Sequence, residues 1–169
     1  MPNDPIEDEI QAPNFVAQAG QDEENTVIAN LAFYPDILLL HFQQSYRVDE
    51  THLPERQIHA LKTALREVNQ DLQTWRKTLT PPPQTLEETP GDVYGTGENA
   101  EHEKVSDYLT AVYAKAKAKL IERYRDYDTT KAGRDRDEDI IPNADEYHQE
   151  SREAVRRILG TGRMTVELL

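Results

Sequence analysis

The sequence predicts an all-α fold, a small bundle of about four helices with extended segments at both ends. Three stretches carry this prediction because their large side chains recur in steps of three and four, which places them on one face of a helix. The longest stretch runs from His102 to Asp128 without Gly or Pro and is the predicted central helix. Its stripe comprises Val105, Leu109, Val112, Ala116, Leu120, Tyr124 and Tyr127. Tyr108 and Tyr113 lie off this stripe, which indicates that neighbours contact the helix on more than one side.

Residues 1–32 are predicted to form a flexible acidic arm, because polar residues and Pro dominate and apolar residues are scattered. The expected anchors of the arm are Phe15, Val16, Val27, Ile28 and Leu31. A helix is then predicted from Pro35 to Tyr46, since Pro and a following acid suit a first helical turn. The apolar run that begins at Ile37 could also form a buried strand.

The bundle domain is predicted to span residues 33–160. Its second helix opens at Leu53-Pro54-Glu55, continues to Arg76-Lys77, and carries the stripe Ile58, Leu61, Leu65, Val68, Leu72 and Trp75. Residues 80–100 contain four Pro and three Gly and are predicted to form a long surface loop. The last helix is predicted to be capped by Asn143 or Asp145 and to end at Gly160.

Residues 161–169 are predicted to be a docking tail. Met164, Val166 and Leu168 alternate with Thr165 and Glu167, a period of two that is typical of a strand. Such a strand could add to the sheet of another subunit, and a short edge strand or a frayed end is the alternative. The predicted partner-binding residues are Gly162, Arg163, Met164, Thr165, Val166, Glu167, Leu168 and Leu169.

The end of the central helix is the predicted site of subunit packing. It comprises Tyr124, Arg125, Asp126 and Tyr127. The two tyrosines are three residues apart and share one helix face, where their rings can pack. A helix end that faces the core of its own chain is the alternative interpretation.

Charge is distributed unevenly along the chain. The net charge is −13, and residues 1–46 contain eight acids but no Lys or Arg. Such a segment is repelled by nucleic acid, although a negative wall can suit a passage through which DNA slides. The chain has no Cys and no apolar run of 18 residues, so we expect no disulfide, no Cys-based zinc site, no membrane span and no secretory signal.

No motif for catalysis or for a cofactor is present. The five histidines form no close ligand pair, and neither a nucleophile elbow nor a phosphate-binding loop occurs. Residues 135–146 resemble a calcium loop, but the position that requires Gly is Ile140 and Pro142 removes a backbone donor. We therefore expect no catalytic residue, no metal and no cofactor, and an enzyme is the weakest interpretation.

Three segments of the chain, taken together with their order and spacing, resemble one family. The runs Tyr124-Arg-Asp-Tyr127-Asp and Gly160-Thr-Gly-Arg163-Met-Thr-Val-Glu-Leu168-Leu, together with the helix Ile58 to Trp75, are similar to the GPL-type head completion proteins of contractile-tailed temperate phages. The similarity covers roughly residues 35–79 and 102–169.

The resemblance implies a virion structural protein that is assembled in the host cytoplasm and located at the head–tail neck. Copies would form a ring on the portal protein after DNA packaging, a dodecamer by analogy with related connectors. The ring would seal the head, present a docking surface to tail terminator or neck proteins, and let DNA pass through its lumen without sequence-specific binding. The features of the sequence also suit a cytosolic helical adaptor outside the virion.

Overall fold

The computed structural model describes residues 26–48, 52–128 and 143–161. Across these residues the chain forms five helices and two short strand pairs, which confirms the predicted all-α bundle. The elements are β1 (Val27–Ile28), β2 (Ile37–Leu38), α1 (Leu39–Tyr46), α2 (Pro54–Asp71), α3 (Gln73–Thr78), β3 (Val93–Tyr94), β4 (Glu101–His102), α4 (Glu103–Asp128) and α5 (Ala144–Leu159).

Helix α4 is the centre of the bundle, as predicted, and α2 lies against it in the antiparallel direction. Lys119 Nζ lies 2.8 Å from a Glu67 carboxylate oxygen, and Lys115 Nζ lies 3.2 Å from Asp71. As residue numbers increase along α4, the residues that they contact on α2 decrease in number, so the two helices are antiparallel.

Helix α5 is also antiparallel to α4. His148 near its start lies 2.8 Å from Glu122, and Arg157 near its end donates to Asp107 over 2.7 Å. The bundle thus consists of three long helices in alternating directions, with α4 in contact with both others.

Tyr108 and Tyr113 are both buried, so α4 is contacted on several sides, as their positions off the stripe indicate. Tyr113 packs against α1, where its ring centroid lies 5.5 Å from Phe42 and 5.4 Å from His41. Tyr108 faces the segment that precedes α1, and its ring stacks on Tyr34 at 4.7 Å.

The first helix begins later than predicted. Ile37 and Leu38 form β2, which pairs with Ile28 and Val27 in the antiparallel β1. The backbone N–H of Leu39 donates to the carbonyl of Thr26 over 3.0 Å, and α1 starts only there. The strand alternative therefore holds for the first two residues of the apolar run, and the helix for the remainder.

Residues 26–32 lie at the end of the predicted arm, and the structure places them against the bundle. Ile28 is 4% exposed, whereas Val27 and Leu31 are more than half exposed. The other two expected anchors, Phe15 and Val16, lie outside the described residues.

The second predicted helix is divided in two. Pro54 occupies its first turn and Glu55 follows, as expected, but α2 ends at Asp71 and the short α3 begins at Gln73. The side chain of Leu72 between them is fully buried. The division explains why the described residues contain five helices instead of about four.

The loop at residues 80–100 contains local structure. Leu86 is buried beside the bundle, and its backbone N–H donates to the carbonyl of Phe33 over 2.8 Å. Val93–Tyr94 then pairs with Glu101–His102 as an antiparallel hairpin that leads directly into α4. Gly95 has φ of +84°, and an added Cβ there would lie 2.2 Å from the carbonyl oxygen of Asn99, so this turn requires glycine.

Helix α5 has the ends that its sequence predicts. The Asn143 side chain caps it by accepting the backbone N–H of Asp145 over 3.1 Å. Gly160 ends it with φ of +69°, a left-handed conformation that glycine adopts without strain.

Candidate interaction surfaces

The described residues leave the two predicted sites largely unplaced. The docking residues Gly162 to Leu169 lie outside them. Tyr124 to Tyr127 form part of the α4 backbone, but their side chains lie outside the description. The structure does define the positions from which both segments extend.

The base of the tail is fixed to the bundle. The backbone N–H groups of Gly160 and Thr161 donate to the carbonyls of Arg157 and Arg156, each over 3.1 Å. One turn earlier, Arg157 donates to Asp107 in the second turn of α4. The tail therefore leaves the bundle beside the start of α4.

The β3–β4 hairpin occupies the same end of the molecule, because β4 runs directly into α4. The backbone N–H of Glu103 donates to the carbonyl of Asp92 over 2.9 Å, which holds the hairpin against the helix start. Val93 and Tyr94 on this hairpin are 61% and 62% exposed. We call this region, comprising Val93, Tyr94, Asp107, Arg157 and Thr161, the exit end.

Sequence reasoning did not single out Val93 and Tyr94. They are neighbours within a Pro- and Gly-rich loop. Their placement on an exposed hairpin depends on the pairing of β3 with β4. The sequence signal that could have predicted this strand is the adjacent Val-Tyr pair followed by a Gly, a pattern typical of a hairpin.

A groove of about 1010 Å³ lies on another face, between α2, α3 and the segment after β1. Its walls combine apolar and basic side chains. The basic ones are Lys62, Arg66 and Arg76, and all three are exposed. None of the described residues that line the groove is acidic, although the whole chain has a net charge of −13. The groove is thus a local basic surface on an acidic protein.

A buried polar network forms one side of this groove. Tyr108 donates its hydroxyl proton to Asn69 Oδ1 over 2.6 Å and accepts from Asn30 Nδ2 over 2.8 Å. Asn69 Nδ2 donates to Asn30 Oδ1 over 2.9 Å, so the three side chains close a ring of hydrogen bonds. Burial raises the pKa of Tyr108 well above its usual value. The network ties α2, α4 and the segment after β1 together without a charge.

The aromatic residues beside this network complete the groove wall. Burial raises the pKa of Tyr34, and the Arg76 guanidinium partly opposes this shift. The hydroxyl of Tyr34 is buried and has no hydrogen-bond partner among the described residues. The guanidinium carbon of Arg76 lies 4.4 Å from the ring centroid of Phe33, a cation–π contact.

Nothing in the described part of the chain forms a metal site, since no three His, Asp or Glu side chains come together there. No helix within the same ranges is long and apolar enough to cross a membrane.

Comparison with known proteins identifies the family. The family described as phage head completion protein (GPL) matches residues 28–169. The chain belongs to this family. It is also 34% identical over 152 residues to the head completion/stabilization protein of Escherichia phage P2. The aligned region covers 89% of this chain and 86% of that relative. No solved structure matches the chain.

The family membership confirms the resemblance and fixes the coarse role. This is a structural protein of phage head completion, and the family is not one of enzymes. The matched range includes residues 80–100, which the resemblance left out, and the tail to Leu169. The exit end therefore lies within the matched range.

Proposed function

We propose that this chain is the connector subunit that completes the phage head. Copies join as a ring on the portal protein after DNA packaging, close the head against DNA loss, and present a surface to tail terminator or neck proteins. The docking residues Gly162 to Leu169 attach each copy to the portal or to an adjacent copy. The observation that carries the proposal is the anchored exit end, from which the tail extends.

The geometry of the tail base supports attachment by a strand. Because Thr161 is hydrogen-bonded to α5, the eight residues beyond it start from a fixed point. At about 3.3 Å per residue they can span about 26 Å if extended. Their alternation of apolar and polar side chains suits addition to the edge of a sheet, where backbone hydrogen bonds supply affinity.

The exposed hairpin supports a second contact beside the tail. Val93 and Tyr94 are apolar and largely in solvent in the single chain. Adjacent apolar side chains of this kind gain free energy when a partner covers them. A partner bound by the tail would lie close enough to cover the hairpin as well.

A ring also requires contacts between copies that close by rotation. Tyr124 to Tyr127 at the end of α4 are the residues we assign to this packing. The expected number of twelve copies in the ring comes from the family resemblance. The acidic balance of the chain suits a lumen through which DNA passes without sequence-specific binding. The assembled ring belongs to the neck of the virion, and assembly takes place in the host cytoplasm.

Truncation after Thr161 tests the tail directly. The bundle should keep its helical circular dichroism and melting temperature, because the residues that stabilise the end of α5 are retained. Binding to DNA-filled heads that lack this protein should be lost, as measured by co-sedimentation. Normal binding by the truncated chain, or absence of the full chain from purified virions, would contradict the proposal.

Matched substitutions on the two faces of the tail sharpen this test. Met164→Asp combined with Val166→Asp should abolish co-sedimentation, because these side chains share the apolar face of the strand. Thr165→Ala combined with Glu167→Ala should retain it, because those side chains lie on the opposite face. Equal loss from both pairs would argue against a strand.

A further inference from the structure

The basic groove brings together, in one concave surface, three cations that no described acid neutralises, whereas Arg56 and Arg152, which also have no ion pair among the described residues, lie outside the groove. Lys115 and Lys119 on α4 reach Glu67 and Asp71 on α2. Lys62, Arg66 and Arg76 form no ion pair with any of the described residues. Three cations in one concave surface repel one another unless an anion lies between them. The groove is therefore suited to an acidic occupant.

The aromatic wall provides a second indication. The hydroxyl of Tyr34 is buried beside the groove and lacks a partner in the described ranges. A buried hydroxyl without a partner costs free energy that a hydrogen-bond acceptor recovers. Arg76 packs over Phe33 and has no carboxylate partner within those ranges. A carboxylate in the groove would pair with the Arg76 guanidinium, whereas an apolar occupant would not.

The chain itself carries a matching segment. Residues 1–25 contain seven acids and no Lys or Arg, and three of the acids are consecutive at Asp22, Glu23 and Glu24. Thr26 is fixed in place because its carbonyl accepts from Leu39. Ala29 to Leu31, which follow within five residues, line the groove. At about 3.3–3.6 Å per residue, Asp22 can lie at most about 14 Å from Thr26, so the run is confined to the neighbourhood of β1.

We propose that the acidic run Asp22–Glu24 occupies the basic groove of its own chain. Its carboxylates lie between Lys62, Arg66 and Arg76. The short connection to β1 favours the same chain over a second copy, because it raises the local concentration of the run to about millimolar. This inference concerns a different surface from the exit end, so it holds or fails independently of the proposed ring.

Two other occupants are less well matched. A nucleic acid would supply phosphates, but the net charge of −13 repels it at long range. The acidic run of a second copy has the same chemistry and differs only in its source. Each of these occupants gives a distinct result in the experiment that follows.

A spin label tests the proposal in the full chain. The protein has no cysteine, so Gln21→Cys creates a single labelling site next to the acidic run. Amide signals of residues 62–69 in the isotopically labelled protein should broaden at about 20 mM salt. The broadening should fall at least twofold at about 500 mM salt, because screening is much stronger there. Signals of Asp145 to Ser151 on α5 serve as the internal reference.

Charge variants provide the matched controls. Lys62→Glu combined with Arg66→Glu should reduce the broadening at least threefold. Arg56→Glu combined with Arg152→Glu changes the net charge equally at exposed positions outside the groove and should leave the broadening unchanged. Replacing Asp22, Glu23 and Glu24 with Lys in the first variant should restore the broadening, because both signs are then reversed.

Three results would overturn the proposal. The first is an absence of broadening at low salt. The second is broadening that appears only when spin-labelled and isotopically labelled chains are mixed, which assigns the groove to a second copy. The third is a DNA duplex that shifts the same amides while the label has no effect, which assigns the groove to phosphates.

Discussion

Helix α4 meets its neighbours by two different kinds of contact. Towards the segment after β1 and towards α1 it uses Tyr108 and Tyr113, whose rings lie among other aromatic rings. Towards α5 it uses small residues and its own backbone, and the Ser151 hydroxyl donates to the carbonyl of Ala111 over 2.8 Å. Ala118 and Ala144 belong, with Ile121, to one buried cluster further along the same contact.

The difference indicates how each side is stabilised. The aromatic side buries large surfaces, and the hydroxyls of Tyr108 and Tyr113 have specific partners there, so removal of a ring leaves a large cavity. The α5 side depends on close approach of two backbones, so it is sensitive to added volume. Truncation and enlargement should therefore have their main effects on opposite sides of α4.

The largest effect is expected from Tyr108→Ala on the aromatic side. Loss of a fully buried ring should lower the free energy of unfolding by about 3–5 kcal/mol, measured by urea denaturation. Tyr108→Phe keeps the ring and removes only the hydroxyl that joins Asn30 and Asn69. It should cost about 1–3 kcal/mol, because the two amides each lose a partner. Equal costs for both variants would show that the ring itself contributes little.

The same contrast explains what the sequence could predict for α4. The periodic stripe of large residues correctly indicated a buried face, since Val112, Ala116 and Leu120 are all buried. Ala111, Ala114 and Ala118 are fully buried, yet in the sequence they indicate only high helix propensity. Periodicity of large side chains identifies a face that buries volume, and it misses a face that is buried because its residues are small.

Other differences arise from contacts that are distant in sequence. The late start of α1 depends on the pairing of β2 with β1, and no local signal specifies that partner. The cap and end of α5 were predictable, because Asn143 and Gly160 act through their own neighbours. Lys62 and Arg66 share one face of α2 because they are four residues apart, but only the fold brings Arg76 and residues 29–34 beside them.

An intermediate effect is expected from Ala154→Leu on the α5 side. Ala154 is fully buried one turn after Ser151, and the added volume should force α5 away from its neighbours at a cost of about 1–3 kcal/mol. Thermal unfolding followed by circular dichroism measures the change. Glu153→Leu, at the adjacent half-buried position, is the control for adding a leucine to this helix, and it should cost less. A stabilised Ala154→Leu variant would show that the helices are not in close contact there.

The effect that is smallest at neutral pH, a change of slope that appears only above pH 10, concerns the aromatic side. Burial raises the pKa of Tyr113 to about 12, above the value near 10 of a tyrosine in the unfolded chain. Its contribution to stability is complete below pH 10 and is lost as the pH rises from 10 towards 12, because the unfolded chain releases the proton first. Tyr113→Phe should therefore reduce the fall in unfolding free energy by up to about 1.4 kcal/mol per pH unit in this window.

The control for this titration is the Ala154→Leu variant on the α5 side. Urea denaturation at a series of pH values from 9 to 12 gives both slopes. Ala154→Leu should shift the whole curve downward and keep its slope, because an added leucine side chain introduces no group that titrates. If Tyr113→Phe also shifted the curve without a change of slope, the aromatic side would be stabilised by packing alone, and the two sides of α4 would differ only in the size of their residues.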